Sequence, residues 1–308
     1  MSIAPALVAL ALTSAAAPSA PVRCSSSGTA WHELRTAHFV LATDLPPDDA
    51  DEVAEQLEVL LGAVVRGLFE PPPTLPDAPL RVVAFGRVED LRAFAPRPVE
   101  GYFAVSSRRE PVIVARADVG RVTRAGILAH ELTHAVVHLV LQRPPRWLDE
   151  GLATYMEAVG EGEDGETIRI GTPPPNRLAA ARQDRVPVAE VLTPSRRFEG
   201  GEYATSWLLV HYLLAQHRTR LLVYEARLAR REDPVAAWRE VFPEWDAGNA
   251  ASVARLDGAL LRYVRDDGQY TELRFPARGE GAYRISALSA AEVDALCAAL
   301  PKVSGDMR

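Results

Sequence analysis

Two histidines four residues apart constrain this chain more than any other feature of its sequence. His130 and His134 bracket Glu131 in the stretch HELTH. On an α-helix this spacing places both imidazoles on one face, where they can bind a single metal ion. Glu131 is one position round from the first histidine, close enough to hold a water molecule at the metal without being a ligand. The pattern is typical of zinc-dependent hydrolysis.

The segment around the histidine pair has the apolar periodicity of a helix that is buried on two sides. One stripe runs through positions 127, 130, 134, 137 and 141, and a second runs through 128, 132, 135 and 139. We therefore predict a helix from about Arg121 to Gln142, lying between an N-terminal sheet and a C-terminal helical lobe. His138, a further turn along, is interpreted as a helix-end or core polar residue.

A catalytic zinc site needs a third protein ligand and one open position for water. The Pro144-Pro145 pair ends the histidine helix, and a second helix begins directly after it with Glu150 in an early turn. If the second helix lies beside the first, this carboxylate reaches the metal, which leaves Glu131 free to act as general base. The alternative is that Glu150 is an acid that only stabilises its own helix N-terminus.

The remaining pattern predicts an α+β protein. Residues 30–118 read as a small unit with a mostly antiparallel sheet, which includes a hairpin of 101–106 and 111–115. From residue 178 onward the pattern is helical, apart from a last strand pair near 270–275 and 283–286. We divide the chain into residues 1–20, an α+β part over 30–160 that carries the histidine and third-ligand helices, and a mainly helical C-terminal lobe over 161–308.

The N-terminus predicts export. An apolar run from Ile3 to Ala17 is followed by small residues, which is typical of a signal peptide over residues 1–20, although no Lys or Arg precedes the run. A disordered alanine-rich leader is the alternative. The two cysteines, Cys24 and Cys297, could join the termini in an oxidising compartment or remain unpaired thiols. We expect a secreted or periplasmic protein without a transmembrane segment after the signal peptide.

Charge and composition exclude several classes of function. The net charge of −7 leaves no basic surplus for a nucleic-acid partner. Lysine occurs once, at Lys302, so Schiff-base chemistry and a phosphate-binding P-loop are excluded. A G-x-S-x-G nucleophile motif is also absent from the sequence. The expected partner is a peptide or protein substrate, and the sequence leaves the oligomeric state open.

The two motifs together resemble those of a known class of enzymes. HELTH followed by WLDEGLATY resembles the gluzincin zinc metallopeptidases of the thermolysin-like group. Aminopeptidase N relatives carry a similar W-x-x-E-G-x-A element, whose glutamate is the third zinc ligand and matches Glu150. The smaller bacterial proteins called peptidase MA-like are more similar, since they share a sheet-plus-helix front half and a later Y-A-x-S-W helix, here residues 203–207. Over roughly residues 30–230, the resemblance implies a zincin-like fold, one zinc per chain and peptide hydrolysis.

The resemblance also bears on the oxyanion and on the substrate. In that group a tyrosine or histidine of the C-terminal lobe stabilises the oxyanion, which makes Tyr203 and His211 candidates here. A core tyrosine is an equally good interpretation of Tyr203. The G-x-M-E-N strand with which aminopeptidase N relatives hold a free amino terminus is absent, and residues 101–104 occupy the comparable stretch. An edge strand there could still bind an extended peptide by backbone pairing.

The sequence therefore predicts a secreted zinc metallopeptidase with His130, His134 and Glu150 as ligands and Glu131 as general base. Tyr203 is added to the catalytic residues on the resemblance alone. A catalytically inactive peptide-binding or scaffold protein that uses the same groove is the alternative. A zinc hydrolase acting on a non-peptide amide is a third possibility.

Overall fold

The computed structural model describes residues 24, 29–95, 99–106, 109–141, 143–193, 198, 200–265, 271–274 and 284–303. The predicted signal peptide lies outside these residues. The strands of the described part are β1 Trp31–Arg35, β2 Phe39–Thr43, β3 Leu80–Phe85, β4 Gly101–Val105, β5 Pro111–Arg116, β6 Gly160–Glu161, β7 Thr167–Ile170, β8 Thr271–Arg274 and β9 Arg284–Leu288. The α-helices of this part are α1 Pro47–Leu68, α2 Val88–Arg92, α3 Arg121–Leu141, α4 Arg146–Met156, α5 Pro175–Gln183, α6 Val188–Leu192, α7 Gly200–Gln216, α8 Arg218–Ala229, α9 Pro234–Val241, α10 Ala250–Tyr263 and α11 Ala290–Ala299.

A mixed six-stranded sheet forms the front half, in the order β4-β5-β3-β2-β1-β9. Three of its five pairings are antiparallel, including the predicted hairpin of β4 and β5, and the β2/β3 and β3/β5 pairings are parallel. The β2/β3 pairing is parallel because α1 returns the chain to the end of the sheet where β2 began, and α2 and β4 lie between β3 and β5. The α+β class is confirmed, with the histidine helix central and a mainly helical C-terminal half.

The two late strands occur where the sequence predicts them, but they do not pair with each other. β8 joins β6 and β7 in a separate three-stranded sheet, whereas β9 pairs with β1 at the edge of the large sheet. Each strand completes an edge whose backbone groups would otherwise lack partners. The alternation of polar and apolar residues predicts a strand, but it does not specify which sheet edge that strand joins.

The large sheet is covered on both faces. One face, with Leu41 and Val82, belongs to the main core with α1 and α3. The opposite face contributes Trp31 and Phe85 to a second core that includes residues of α2 and α11. A disulfide between Cys24 and Cys297, with Cα atoms 5.5 Å apart, closes this second core. The structure thus decides between the paired and unpaired cysteines that the sequence left open.

Helices α4 and α7 form the largest helix-to-helix contact of the described residues. Gly151 on α4 makes their close approach feasible, because a Cβ there would lie 2.5 Å from Val210 Cγ2 and 2.7 Å from the Ser206 carbonyl oxygen. The helix that carries Glu150 is therefore fixed on its far side by the C-terminal lobe. Among the described helices, none combines the length and apolar content that a membrane span requires.

Glu225 on α8 is a buried carboxyl group, and its burial makes the stability of the protein depend on pH. It is 3% exposed, and neither carboxylate oxygen has a hydrogen-bond partner among the described residues. Burial raises its pKa from 4.5 to about 8, and the charge of Arg218 opposes this only partly. Between these two pH values the folded protein holds a proton that the unfolded chain has released. The free energy of unfolding therefore falls as the pH rises through this window.

Glu225→Gln should remove this loss of stability at high pH, because glutamine stays uncharged. We expect the substitution to raise the free energy of unfolding by on the order of 4 kcal/mol at pH 8 and to change it little at pH 4.5. Urea unfolding of the wild-type and Glu225→Gln proteins at pH 4.5 and pH 8 measures how much the substitution changes the free energy of unfolding. The contributions of the other titrating groups are the same in both proteins and cancel in this comparison. Glu163→Gln, at an exposed turn position, is the control and should be neutral. An equal effect of Glu225→Gln at both pH values would contradict the interpretation.

Candidate metal centre

Three ligand atoms converge between α3 and α4. His130 Nε2 and His134 Nε2 lie 3.1 Å apart, and Glu150 Oε2 is 3.9 Å and 3.8 Å from them, respectively. Ligand atoms around a tetrahedral zinc with bonds of 2.0–2.1 Å are about 3.3 Å apart. Two imidazole nitrogens and one carboxylate oxygen are also a donor set that zinc accepts in catalytic sites. The three residues thus form a group that could hold a metal ion.

The convergence depends on how α4 lies between its neighbours. The two histidines share a face of α3 because they are one helical turn apart. Gly126 lets the end of α4 approach this helix, since a Cβ at Gly126 would lie 2.8 Å from the backbone oxygen of Glu157. Pro145 directly precedes α4, so Glu150 falls in its second turn and faces the histidines.

The outward ring nitrogen of each candidate histidine ligand is held by a carboxylate. His130 Nδ1 lies 2.8 Å from Glu157 Oε1, and His134 Nδ1 lies 2.8 Å from Asp149 Oδ1. Arg177 Nη2 in turn donates to both oxygens of Glu157, at 3.1 and 3.0 Å. An Nδ1–H donated to a carboxylate leaves the Nε2 lone pair for a metal, which is the usual arrangement around zinc-bound histidines. This outer layer supports the metal interpretation independently of the motif.

His138 binds the second oxygen of Asp149, with its Nε2 2.8 Å from Oδ2. Its side chain is 41% exposed, which agrees with its interpretation as a polar residue near the helix end. His134, His138 and Asp149 form a second group whose ligand atoms are close enough for a metal. Both histidines lie at ordinary hydrogen-bond distances from Asp149, so the shared carboxylate already explains this group.

The charges of the centre are set by burial and by these contacts. Burial alone would lower the pKa of His134, but the charge and hydrogen bond of Asp149 outweigh it and raise that pKa to about 9. Burial would raise the pKa of Asp149, yet His134 and His138 hold it well below its usual range. The pKa of Glu157 is also lowered, because its contacts with His130 and Arg177 overcome its burial. Both outer carboxylates are therefore anionic at neutral pH.

Glu131 is 7% exposed and lies where α3 passes the start of β4. A Cβ at Gly101 would be 3.1 Å from Glu131 Cγ and 3.1 Å from the Val114 carbonyl oxygen. Glycine at the start of β4 therefore leaves the room that the Glu131 side chain occupies. The charge of Glu131 also contributes to the raised pKa of His134, which places this carboxylate within the electrostatic range of the centre.

The two candidates for stabilising an oxyanion lie in different surroundings. Tyr203 Oη accepts a hydrogen bond of 3.4 Å from Arg146 Nη2, and Arg146 Nε is 4.0 Å from Glu150 Oε1. Tyr203 is thus one residue removed from the third candidate ligand. His211 is 2% exposed, and its two ring nitrogens bind the Gly171 carbonyl and the Tyr263 hydroxyl, each at 2.7 Å. Both His211 nitrogens are therefore engaged within the C-terminal lobe.

The outer residues Asp149, Glu157 and Arg177 are absent from the sequence-based prediction. Asp149 directly precedes Glu150, so its position beside the motif was a usable signal. Glu157 and Arg177 carry no such signal, because their contacts depend on the docking of α4 and α5.

A protein-family model matches the part of the chain that contains the candidate metal centre. Residues 125–236 match the model of DUF1570, a family described as a protein of unknown function. The match includes both histidines, Glu150 and Tyr203, which supports treating these elements as one unit. No curated protein matches the chain.

Proposed function

We propose that this protein is an exported zinc metallopeptidase. The observation that carries the proposal is the convergence of His130 Nε2, His134 Nε2 and Glu150 Oε2, with each imidazole oriented by a carboxylate. A zinc ion bound there would lower the pKa of a coordinated water and polarise the substrate carbonyl. Three protein ligands leave the position for water that catalysis requires.

Glu131 supplies the acid–base chemistry in this proposal. It follows His130 on α3 but is not part of the converging ligand group. Its carboxylate accepts a proton from the attacking water and delivers it to the leaving amine. A site that binds zinc for stability alone needs four ligands and no such base, so Glu131 favours hydrolysis over a scaffold.

The substrate chain would lie along β4. This strand is the terminal strand of the large sheet, so its outer backbone groups can pair with an extended peptide. Gly101, at its start, borders Glu131, so a peptide paired with β4 passes the general base. In this proposal Tyr203, which accepts a hydrogen bond from Arg146, stabilises the oxyanion.

Export is supported by the disulfide between Cys24 and Cys297, because disulfides persist in oxidising compartments. The signal-peptide pattern of residues 1–20 also supports export.

The test is a peptide-library digestion with purified protein, combined with metal analysis. We expect about one zinc per chain and cleavage that stops on addition of a chelator and returns with zinc. A folded, metal-free and active protein would contradict the proposal. Bound zinc without cleavage of any peptide would favour the inactive peptide-binding alternative.

A further inference from the structure

We propose that a cavity next to the metal centre binds a large apolar side chain of the peptide substrate, two to four residues from the cleaved bond. This inference rests on the proposed function, and the experiment distinguishes failure of the cavity assignment from failure of the peptidase function. The cavity has a volume of about 740 Å³, which is within the range of small-molecule sites. Its walls come from β4, α3, the middle of α1 and the segment 75–80.

Apolar side chains lie both inside the cavity and at its mouth. Phe103 of β4 and Leu132 of α3 are among its lining residues. Val105 and Leu139, which also line it, are 58% and 43% exposed. Large apolar side chains grouped at the mouth of a cavity mark a surface that an apolar ligand can cover.

The cavity is aligned with the candidate active site through β4. Gly101, Phe103 and Val105 alternate along the strand and so share the face that looks toward α3. Gly101 borders Glu131, whereas the next two residues of this face line the cavity. At about 3.3 Å per residue they lie about 7 and 13 Å further along the strand. Substrate residues paired with β4 would therefore reach the cavity two to four positions from the bond near Glu131.

The cavity is also linked to His134, one of the candidate metal ligands. The Phe103 and His138 rings have centroids 5.7 Å apart, and both residues line the cavity. His138 shares Asp149 with His134 through contacts of 2.8 Å on each side. The wall of the cavity thus continues into the outer layer of the metal centre.

The charges at the rim favour an uncharged occupant over a fatty acid or a phospholipid headgroup. Besides His138, whose partner is Asp149, three basic side chains line the cavity, namely Arg35, Arg81 and His38. Each lies beside a carboxylate: the two arginines are 2.7 and 3.5 Å from Glu33, and His38 is 2.7 Å from Glu58. An anionic headgroup would have to displace these partners. A leucine or phenylalanine side chain needs no counter-ion, and its burial is favourable.

The test uses Glu131→Gln protein loaded with zinc and a pair of dye-labelled peptides. The two peptides of the first pair are identical except that one carries leucine and the other aspartate at the second, third and fourth positions after the bond. The two peptides of a second pair differ in the same way at the second, third and fourth positions before the bond. Fluorescence anisotropy gives their dissociation constants without any need for hydrolysis. We expect the leucine peptide of one pair to bind about 10- to 100-fold more tightly than its aspartate counterpart.

The decisive variant is Ala78→Trp. Ala78 is an exposed residue of the cavity wall, on the segment opposite α3, so an indole there fills the mouth without touching the metal centre. We expect the preference for leucine to fall to less than about threefold, with zinc content unchanged. Ala251→Trp, at an exposed position on α10 outside the cavity, should keep the preference.

A preference that survives Ala78→Trp would overturn the proposal, as would equal binding of both peptides to the unsubstituted cavity. A dimer that Ala78→Trp converts to monomer, or an aliphatic lipid released on denaturation, would show that the cavity has another occupant and would also overturn it. Failure of the wild-type protein to cleave the tightly bound peptide would reject the peptidase function and leave the cavity as a binding site for an apolar side chain of a peptide ligand.

Discussion

Replacement of Glu131 by glutamine is expected to lower kcat for peptide hydrolysis by about 10²- to 10⁴-fold, the usual contribution of a positioned general base. Glutamine has nearly the same shape, so it fits the space beside Gly101 that glutamate occupies. It cannot accept the proton of the attacking water. Zinc content should stay at the wild-type level, because the converging ligand atoms belong to other residues.

The measurement pairs kcat and KM on a peptide found in the library digestion with elemental analysis of the same samples. Glu163→Gln provides the matched control, since it makes the same chemical change at an exposed turn position. Wild-type activity in the Glu131→Gln protein would remove Glu131 as the base. Loss of zinc together with activity would instead make it a residue that supports the metal.

Replacement of Glu150 by alanine is expected to weaken zinc binding by at least about a hundredfold. Its Oε2 is the third atom of the converging group, and even outer residues of zinc sites typically contribute 10- to 100-fold to affinity. The fold should persist, because Glu150 is only partly buried and Gly151, not Glu150, is the point of close approach to α7.

Competition titration with a chromogenic zinc chelator gives the affinity, and circular dichroism checks the fold. Glu163→Ala should bind zinc like the wild type. Unchanged affinity in Glu150→Ala would mean that another residue is the third ligand. The group of His134, His138 and Asp149 would then be the next to test, with His138→Ala.

Several parts of the fold could be predicted because they depend on neighbouring residues. The helix predicted over 121–142 is observed as Arg121–Leu141, since two apolar stripes at helical spacing require burial on both sides. The proline pair after it likewise separates α3 from α4. The hairpin of β4 and β5 follows from two short strand patterns around a charged turn.

Other parts could not be predicted because they depend on distant segments. The parallel centre of the sheet requires α1 to cross one face before β3 begins. The separation of β8 and β9 into two sheets depends on which edges lie nearby. The pairing of Cys24 with Cys297 spans 273 residues, and neither cysteine carries a local signal for its partner.

By itself the sequence determined the helix that carries His130 and His134, because four-residue spacing on a helix is a local property. It also supplied Glu150 as a candidate ligand through the break that follows that helix. Only the tertiary structure decided that this carboxylate meets both imidazoles and that Glu157, held by Arg177, supports His130. These contacts arise from the docking of α4 against α3 and α7, which depends on the complementary shape of surfaces far apart in the chain.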